Sequence, residues 1–243
     1  MPEAKGGHNL FGHAVGIIML DTRFARIPGD IGNAGTWDFP VLYRIVEDAT
    51  PLRVVRKKAE GLLVPFLAAA QGLASQGVRA ITTSCGFLAV YQGQIASQVP
   101  VPVYTSSLLQ IPLVHRMVGP NRKVGVITVD SRFLTQELLG QVGAADVPLV
   151  VEGTEGGEEL TRVLIDGKED LDVAKAERDV VGAARRLVQR DRDVGAIVLE
   201  CTNMPPYSRS VQRATGLPVF DIVTLTRCVY GALQPPAFME RSF

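Results

Sequence analysis

The chain has 243 residues, of which 47% are hydrophobic, and its 25 basic side chains balance 25 acidic ones. This length and apolar content are typical of a folded protein with one large or two small domains and exclude a disordered chain. The zero net charge gives no electrostatic case for a nucleic acid or membrane partner, and because neither a membrane-spanning run nor a signal peptide is visible we expect a cytoplasmic protein.

Strands and helices are predicted to alternate along the first half of the chain. Short apolar runs bounded by turn residues predict strands over 15–20, 52–55 (with 43–46 as its competitor), 79–84 and 101–104. Helical patterns separate them, one ending near residue 76 and two more over 87–97 and 107–118.

The second half repeats this alternation. Its predicted strands are 124–129, 148–151, 196–199 and 217–220, and its predicted helices are 131–142, 158–165, 170–190, a helix after Pro205-Pro206, and 223–233. The helix over 170–190 has Asp170 as its expected N-cap and an apolar stripe formed by Val173, Val180, Ala184, Leu187 and Val188. Alternating strands and helices predict parallel sheets with right-handed crossovers.

An internal repeat relates the two halves. Residues 15–24 and 124–133 are identical or conservatively exchanged in eight of ten positions, and the exceptions are Met19/Thr128 and Leu20/Val129. The sequence therefore predicts an α/β protein of two pseudo-symmetric lobes, each a four-stranded, mostly parallel sheet flanked by helices, with the active site in the cleft between them. We place the lobes at 13–118 and 119–216, and the final strand and helix (217–243) are free to pack back on the first lobe.

Two of the three cysteines occupy equivalent places in the repeat. Cys85 and Cys201 each follow an apolar strand and precede the start of a helical pattern. The carboxyl ends of parallel strands bind ligands, and a helix N-terminus favours a thiolate, so we expect both thiols to have a lowered pKa. The third cysteine, Cys228, lies in an apolar helical pattern and is predicted to serve packing.

The pseudo-twofold relation would place Cys85 and Cys201 on opposite walls of one cleft. A thiolate on one wall can remove a proton from a substrate carbon, and a thiol on the other can return a proton to the opposite face, which inverts the carbon. Backbone N–H groups and hydroxyls near each cysteine can stabilise the carbanion by binding the substrate carboxylate. The candidates for substrate binding are Ser84, Gly86, Phe87, Thr202 and Asn203.

These motifs resemble those of a known family. Residues 199–205, Leu-Glu-Cys-Thr-Asn-Met-Pro, resemble the Cys-Thr-x-x-Pro signature of the aspartate/glutamate racemase superfamily, and residues 83–86 resemble its first cysteine motif. The resemblance covers most of the chain and implies cofactor-independent racemisation by Cys85 and Cys201, with the substrate between two lobes. It also implies that Asp21 and Thr22 form a polar turn that supports a cysteine or contacts the substrate.

Departures from the family pattern bear on the substrate. Gly86 and Phe87 stand where glutamate racemases usually carry Asn-Thr, which argues against glutamate. Residues 16–30 look more like the hydantoin racemase and arylmalonate decarboxylase branch, and the presence of two cysteines favours racemase over decarboxylase. Glu200 should raise the pKa of the adjacent Cys201, although strand alternation predicts that its side chain points to the opposite face.

The predicted function is a racemase acting on an amino acid or a close derivative, of the Asp/Glu or hydantoin type. Three alternatives stay open: a cysteine-dependent cis-trans isomerase or decarboxylase of a small dicarboxylic acid, a non-catalytic two-lobed ligand-binding module, and a Cys85–Cys201 redox switch. Arg23 and Arg132 are able to bind carboxylates, but solvated side chains are the simpler expectation.

No cofactor or metal is predicted. The sequence has no dinucleotide- or phosphate-binding loop and no lysine in a context suited to pyridoxal phosphate, and its histidines (His8, His13 and His115) lack ligand spacing. The expected partner is a small-molecule carboxylate substrate. A homo-oligomer is a further possibility, because the apolar tail over 235–243 is suited to a subunit contact.

Overall fold

The computed structural model describes residues 6–236, and these form two four-stranded parallel sheets flanked by helices. The first sheet has the order β2-β1-β3-β4 and consists of β1 (Val15–Leu20), β2 (Val41–Val46), β3 (Ala80–Thr83) and β4 (Val103–Tyr104). Its helices are α1 (Leu63–Ser75), α2 (Gln92–Ala96) and α3 (Ile111–Val118).

The second sheet has the equivalent order, β6-β5-β7-β8, with all pairs parallel. Its strands are β5 (Lys123–Thr128), β6 (Leu149–Gly153), β7 (Val194–Leu199) and β8 (Val219–Phe220). The helices of this half are α4 (Gln136–Gln141), α5 (Leu160–Asp166), α6 (Val173–Arg190), α7 (Ser208–Thr215) and α8 (Ile222–Leu233).

The shared strand order determines where a ligand binds. In each sheet the chain runs outward to one side after its first strand and to the other side after its third, so the order reverses between β1 and β3 and between β5 and β7. Ligands of open parallel sheets bind at such a reversal, beyond the carboxyl ends of the strands. The four central strands are almost fully buried, which explains why they appear in the sequence as continuous apolar runs.

The preference for 52–55 as the second strand is wrong. Residues Leu52–Arg56 form a π-helical turn, and the chain after it adopts the left-handed conformation at Lys58 and Ala59, with φ of 52° and 57°. β2, at 41–46, lies at the edge of its sheet and exposes much of its surface, so it lacks the apolar signature of a buried strand. Val54 and Val55 are buried within the π-helical turn, and their apolar side chains give this segment the pattern expected of a buried strand.

Several helices begin later than predicted because short 3-10 turns precede them. These turns are Gly86–Tyr91, Ser107–Gln110, Ser131–Phe133 and Pro205–Tyr207. The long helix α6 is capped by Asp172, whose side chain accepts a hydrogen bond from the Lys175 N–H at 3.1 Å, and not by Asp170. Val173 in its first turn is exposed and does not belong to the buried stripe.

The last strand, β8, and the last helix, α8, pack on different lobes. β8 pairs with β7 in the second sheet, so the final strand does not pack back on the first lobe. α8 does contact the first lobe, where the Tyr230 ring stacks on the Phe39 ring with centroids 3.8 Å apart. Asp221 begins this helix with a reciprocal capping box to Thr224.

Two sequence expectations concern the chain ends and the membrane. Among residues 6–236, no helix combines the length and the apolar character needed to cross a bilayer. Of the tail over 235–243 that was considered for a subunit contact, residues 237–243 lie outside the described part of the chain.

A buried carboxylate anchors the segment that leads into α5. Asp179 on α6 accepts hydrogen bonds from the backbone N–H groups of Glu158, Glu159 and Leu160 at 2.9, 2.7 and 2.8 Å. These N–H groups have no helical partners, so the carboxylate satisfies donors that would otherwise be buried unpaired.

Asp179→Ala should lower the free energy of unfolding by about 2–4 kcal/mol, because it leaves three N–H groups without an acceptor. Urea denaturation measures this loss. Arg178→Ala, on the exposed side of the same helix, is the matched control and should change stability by less than about 0.5 kcal/mol. Equal stability of the two variants would contradict the anchoring role.

Candidate active site

A small cavity lies between the lobes at the carboxyl ends of the central strands. Most of its wall is apolar and consists of Leu20, Phe24, Pro51, Val55, Phe87, Val129, Leu164 and Ile165. The polar side chains in the wall are Thr22, Arg26, Ser84, Cys85, Glu200, Cys201 and Asn203. Both halves of the chain contribute, so the two predicted cysteines line one site.

The two thiols have similar but unequal surroundings. Cys85 is partly exposed and lies at the N-cap of the 3-10 turn, with the backbone N–H groups of Phe87 and Leu88 directed at its sulfur. Cys201 is buried, receives the N–H of Asn203, and directs its own Sγ–H at the Asn203 Oδ1 at 3.4 Å. The pair is therefore related by the repeat without being equivalent.

The expectation of a lowered thiol pKa is wrong for both cysteines. Burial raises the pKa of Cys85 and of Cys201, and the nearby Glu200 carboxylate raises both further. The backbone N–H groups act in the opposite direction but are outweighed. Both side chains are therefore protonated thiols at neutral pH.

Glu200 lines the cavity, so the prediction that it points to the opposite face is also wrong. β7 ends at Leu199, and strand alternation does not extend to the next residue. The side chain is fully buried; its Oε2 accepts a hydrogen bond from Thr128 Oγ1 at 2.8 Å, and its Oε1 has no partner among the described residues. Burial raises the pKa of Glu200 to about 8.

The loops that carry the cysteines are hydrogen-bonded to each other. Thr202 Oγ1 donates to the Ser84 carbonyl oxygen at 2.6 Å, and Ser84 Oγ accepts from the Leu20 N–H at 2.8 Å. Ser107 Oγ adds a bond to the Leu199 carbonyl at 2.7 Å. Ser84 lies in the cavity wall, whereas Thr202 lies behind it and fixes the distance between the loops.

Gly86 also lies behind the wall. A Cβ at this position would overlap the carboxylate and the carbonyl oxygen of Glu200. Only glycine permits the Cys85 loop to approach Glu200 so closely. Phe87, by contrast, presents its ring to the cavity as predicted for a site residue.

The two residues of the polar turn after β1, Asp21 and Thr22, have different surroundings. Thr22 lines the cavity, whereas Asp21 faces an outer groove and accepts a hydrogen bond from the Asp48 N–H at 3.3 Å. Arg23 is exposed at that groove. Arg132 binds Asp130 at 2.8 and 2.6 Å on the surface of the second lobe, so neither arginine reaches the cavity.

Arg26 is the site residue that sequence reasoning missed. Its guanidinium donates to Asp30 Oδ1 at 2.7 Å and to Thr22 Oγ1 at 3.0 Å, and it lies 4.6 Å from the Phe24 ring centroid. Asp30 in turn accepts from Asn203 Nδ2 at 2.5 Å. Among residues 6–236, Arg26 is the single cation in the cavity wall, and the Arg26–Asp30 spacing of four residues was the available signal.

Two remaining expectations concern other sites. Cys228 is exposed on α8, so the prediction that it serves packing is wrong. Within the described part of the chain, no three His, Cys, Asp or Glu side chains lie close enough together to hold a metal ion.

Residues 57–226 match the sequence profile described as Asp/Glu/Hydantoin racemase. A dimethylsulfoniopropionate lyase from Durusdinium sp. clade D is 30% identical over 233 residues, which cover 93% of this chain and 77% of the lyase. Dimethylsulfoniopropionate lyase 3 from Emiliania huxleyi (strain CCMP1516) is 29% identical over 229 residues, which cover 91% of this chain but only 60% of that relative.

Among solved structures, allantoin racemase from Klebsiella pneumoniae superposes with a TM-score of 0.63 at 17% identity. The superposition covers 90% of this chain and 87% of the racemase. At this identity the likeness shows a shared fold.

The raised thiol pKa values predict slow alkylation. Iodoacetamide at pH 7 should modify the exposed Cys228 first, and Cys85 and Cys201 about 10-fold or more slowly, because only thiolates react and buried thiols are hard to ionise. Mass spectrometry of peptides from timed samples measures the three rates. The Cys85 and Cys201 rates should rise with pH, and either one exceeding the Cys228 rate at pH 7 would contradict the burial argument.

Glu200 also predicts a pH-dependent stability. Its folded pKa of about 8 lies above the ordinary value, so its favourable contribution is complete at low pH and is lost as the pH rises through about 8. Glu200→Gln keeps an acceptor for Thr128 but carries no charge. Its Tm should match the wild type at pH 5 and exceed it by several degrees at pH 9, as measured by calorimetry.

The exposed Glu137→Gln variant is the control and should shift Tm equally at both pH values. If Glu200→Gln behaved like this control, the buried charge would have no cost and the assigned pKa direction would be wrong.

Proposed function

The chain belongs to the Asp/Glu/hydantoin racemase family, and from that premise we propose that it removes the proton α to the carboxylate of a small substrate with a cysteine as the base. We further propose that the reaction is an elimination from a β-sulfonium carboxylate of the dimethylsulfoniopropionate type. The observation that carries the proposal is the placement of Cys85 and Cys201, from different lobes, in one largely apolar cavity.

Burial suits the thiols to this chemistry. A proton α to a carboxylate is weakly acidic, so its removal needs a strong base in a site that excludes water. Burial lowers the thiolate fraction of Cys85 and Cys201, but by raising their pKa it makes each thiolate a stronger base. The apolar wall limits the competing protonation of the carbanion by solvent.

Thr22 and Arg26 are the proposed carboxylate-binding pair. Arg26 is held by Asp30, Thr22 and the Phe24 ring, and a guanidinium has further N–H donors that remain for a substrate carboxylate. A carboxylate bound there gains charge as the α-proton leaves, so the same contact strengthens as the reaction proceeds.

Elimination requires one base. The thiolate takes the α-proton, the C–H electron pair forms the Cα=Cβ bond, and the Cβ–S bond breaks to release a neutral sulfide and an unsaturated carboxylate. The leaving sulfide needs no proton, so the two cysteines have different tasks. The unequal surroundings of Cys85 and Cys201 support such a division, and the relatives named as dimethylsulfoniopropionate lyases support the substrate type.

Racemisation is the second candidate. The observation that favours it is the presence of both cysteines at repeat-equivalent strand ends, because inversion needs a proton donor opposite the base. In that case the carbanion carries no leaving group and is protonated by the second thiol. An amino acid, a hydantoin or a related derivative would be the substrate.

Proton NMR in D₂O separates the two candidates. With 3-dimethylsulfoniopropionate we expect dimethyl sulfide and acrylate to appear; amino acids and 5-substituted hydantoins, screened in parallel, should keep their α-proton signals. Loss of the α-proton signal without elimination would favour the racemase instead.

Single serine variants test the roles of the thiols. For elimination, the variant of the base should lose about 10²–10⁴-fold in kcat, and the variant of the other cysteine should lose less than about 10-fold. For racemisation, Cys85→Ser and Cys201→Ser should both abolish inversion. Cys228→Ser, on the surface of α8, is the matched control and should keep full activity.

A further inference from the structure

Glu200 is a buried acid that the proposed proton transfer does not use. Its side chain is fully buried, one carboxylate oxygen is hydrogen-bonded to Thr128, and Oε1 has no partner among residues 6–236. Burying a carboxylate without a full set of partners is costly, and an apolar residue of similar size would be more stable. An acid with one unpaired oxygen at this place is suited to a partner that lies outside residues 6–236, such as a bound ligand.

The surroundings of Glu200 are built to hold it. Thr128, which supplies its hydrogen bond, stands at one of the two positions where the repeat is broken, and its counterpart in the first half is Met19. Ser84 is the counterpart of Glu200 itself. Gly86 leaves the space that the Glu200 carboxylate occupies. Two departures from the repeat, Thr128 and Glu200 itself, and the glycine at position 86 thus all serve to hold the Glu200 carboxylate.

The charges of the wall have a defined pattern. In the part of the chain that the structure describes, Arg26 is the single cation of the wall and is already paired with Asp30, so it is not the missing partner of Glu200. The neighbouring thiols, Cys85 and Cys201, are neutral at pH 7, and the rest of the wall near them is apolar, including the Phe87 ring. A cation beside Glu200 would favour the ionised form of its carboxyl group and would then meet one unopposed negative charge and an aromatic face.

We infer that Glu200 binds the cationic group of the substrate, so that the cavity selects small zwitterions with a carboxylate at Arg26 and an onium group at Glu200. This inference rests on the proposed function, since it names the substrate class of the same site. It makes Glu200 a specificity-determining residue.

The inference has an electrostatic consequence for the thiols. Glu200 raises the pKa of both cysteines, and an onium group beside it would oppose this effect and favour the thiolate. The substrate's own charge thus helps to ionise the base. An uncharged substrate of the same shape would leave the thiols protonated.

A pair of isosteres tests the inference without turnover. 3-(Dimethylammonio)propionate carries a cation and a poor leaving group, and 4-methylpentanoate has the same shape without the cation. Protection of Cys85 and Cys201 from iodoacetamide, measured by mass spectrometry, gives a Kd for each probe. For the wild type at pH 8 we expect the ammonio compound to bind about 10- to 100-fold more tightly.

Glu200→Gln should remove this preference and leave the Kd of 4-methylpentanoate within about 3-fold of the wild type. The Kd of the wild type for 3-(dimethylammonio)propionate should also fall as the pH rises toward about 8, where Glu200 ionises. The Kd of Glu200→Gln for the same probe should not change over this pH range. The other titratable groups that face this region are Cys85, Cys201 and Asp30, with Arg26 as the fixed cation.

Thr128→Val is the second variant, in case Glu200→Gln does not fold. Loss of the Thr128 hydrogen bond raises the pKa of Glu200, so tight binding of the ammonio probe should shift to higher pH. Equal binding of both probes by the wild type, or an unchanged preference in Glu200→Gln, would overturn the inference. Selective binding without cleavage of dimethylsulfoniopropionate would leave it standing and remove the lyase proposal alone.

Discussion

The hydrogen bond from Thr202 to the Ser84 carbonyl is the contact on which the geometry of the site depends. It joins the residue after Cys201 to the residue before Cys85, and therefore fixes one thiol relative to the other across the two lobes. The Ser107 bond to the Leu199 carbonyl holds the same junction from behind. Both bonds are buried, where losing one partner is expensive, so the relative position of the cysteine loops is strongly determined.

This rigid junction explains why burial dominates the electrostatics. The loops approach closely enough to bury Cys201 and Glu200 fully and Cys85 in part, and the cost of desolvation exceeds what the backbone N–H groups supply. A site of this kind keeps both thiols and Glu200 mostly protonated at neutral pH. Stability is given up where chemistry requires strong bases and an unpaired acid.

The sequence predicted the features that repeat and missed those that break the repeat. The duplicated strands, the paired cysteines and the eight-strand architecture follow from periodicity and from the match of 15–24 with 124–133. Residues 52–55 were preferred over 43–46 as the second strand because an exposed edge strand has no apolar signature, while the buried π-helical turn after Pro51 has one. The orientation of Glu200 depends on where β7 ends, and a residue-by-residue alternation does not reveal that end.

Arg26 was missed for a different reason. It lies in a loop without regular structure, and its position is set by Asp30, Thr22 and the Phe24 ring, contacts that form only when the chain folds. Arg23 and Arg132 attracted attention because they repeat, yet both lie outside the cavity. In this chain, repetition identified the shared strands and the paired cysteines, and residues without a charged counterpart, Arg26 and Glu200, supply the charges of the cavity wall.

The contrast between the repeated cysteines and the unrepeated charged residues bears on the choice between elimination and racemisation in the proposed mechanism. Both reactions begin with the same carbanion, and they differ in whether the β-carbon expels a group before the second thiol returns a proton. The duplicated cysteines serve either outcome, because each is placed to exchange a proton with the substrate. Glu200 and Arg26 have no charged counterparts across the repeat. In the proposed mechanism they bind the two charged ends of the substrate, and the cationic end is the leaving group at the β-carbon. In the proposed mechanism, selection of the substrate's charge thus decides the fate of the carbanion.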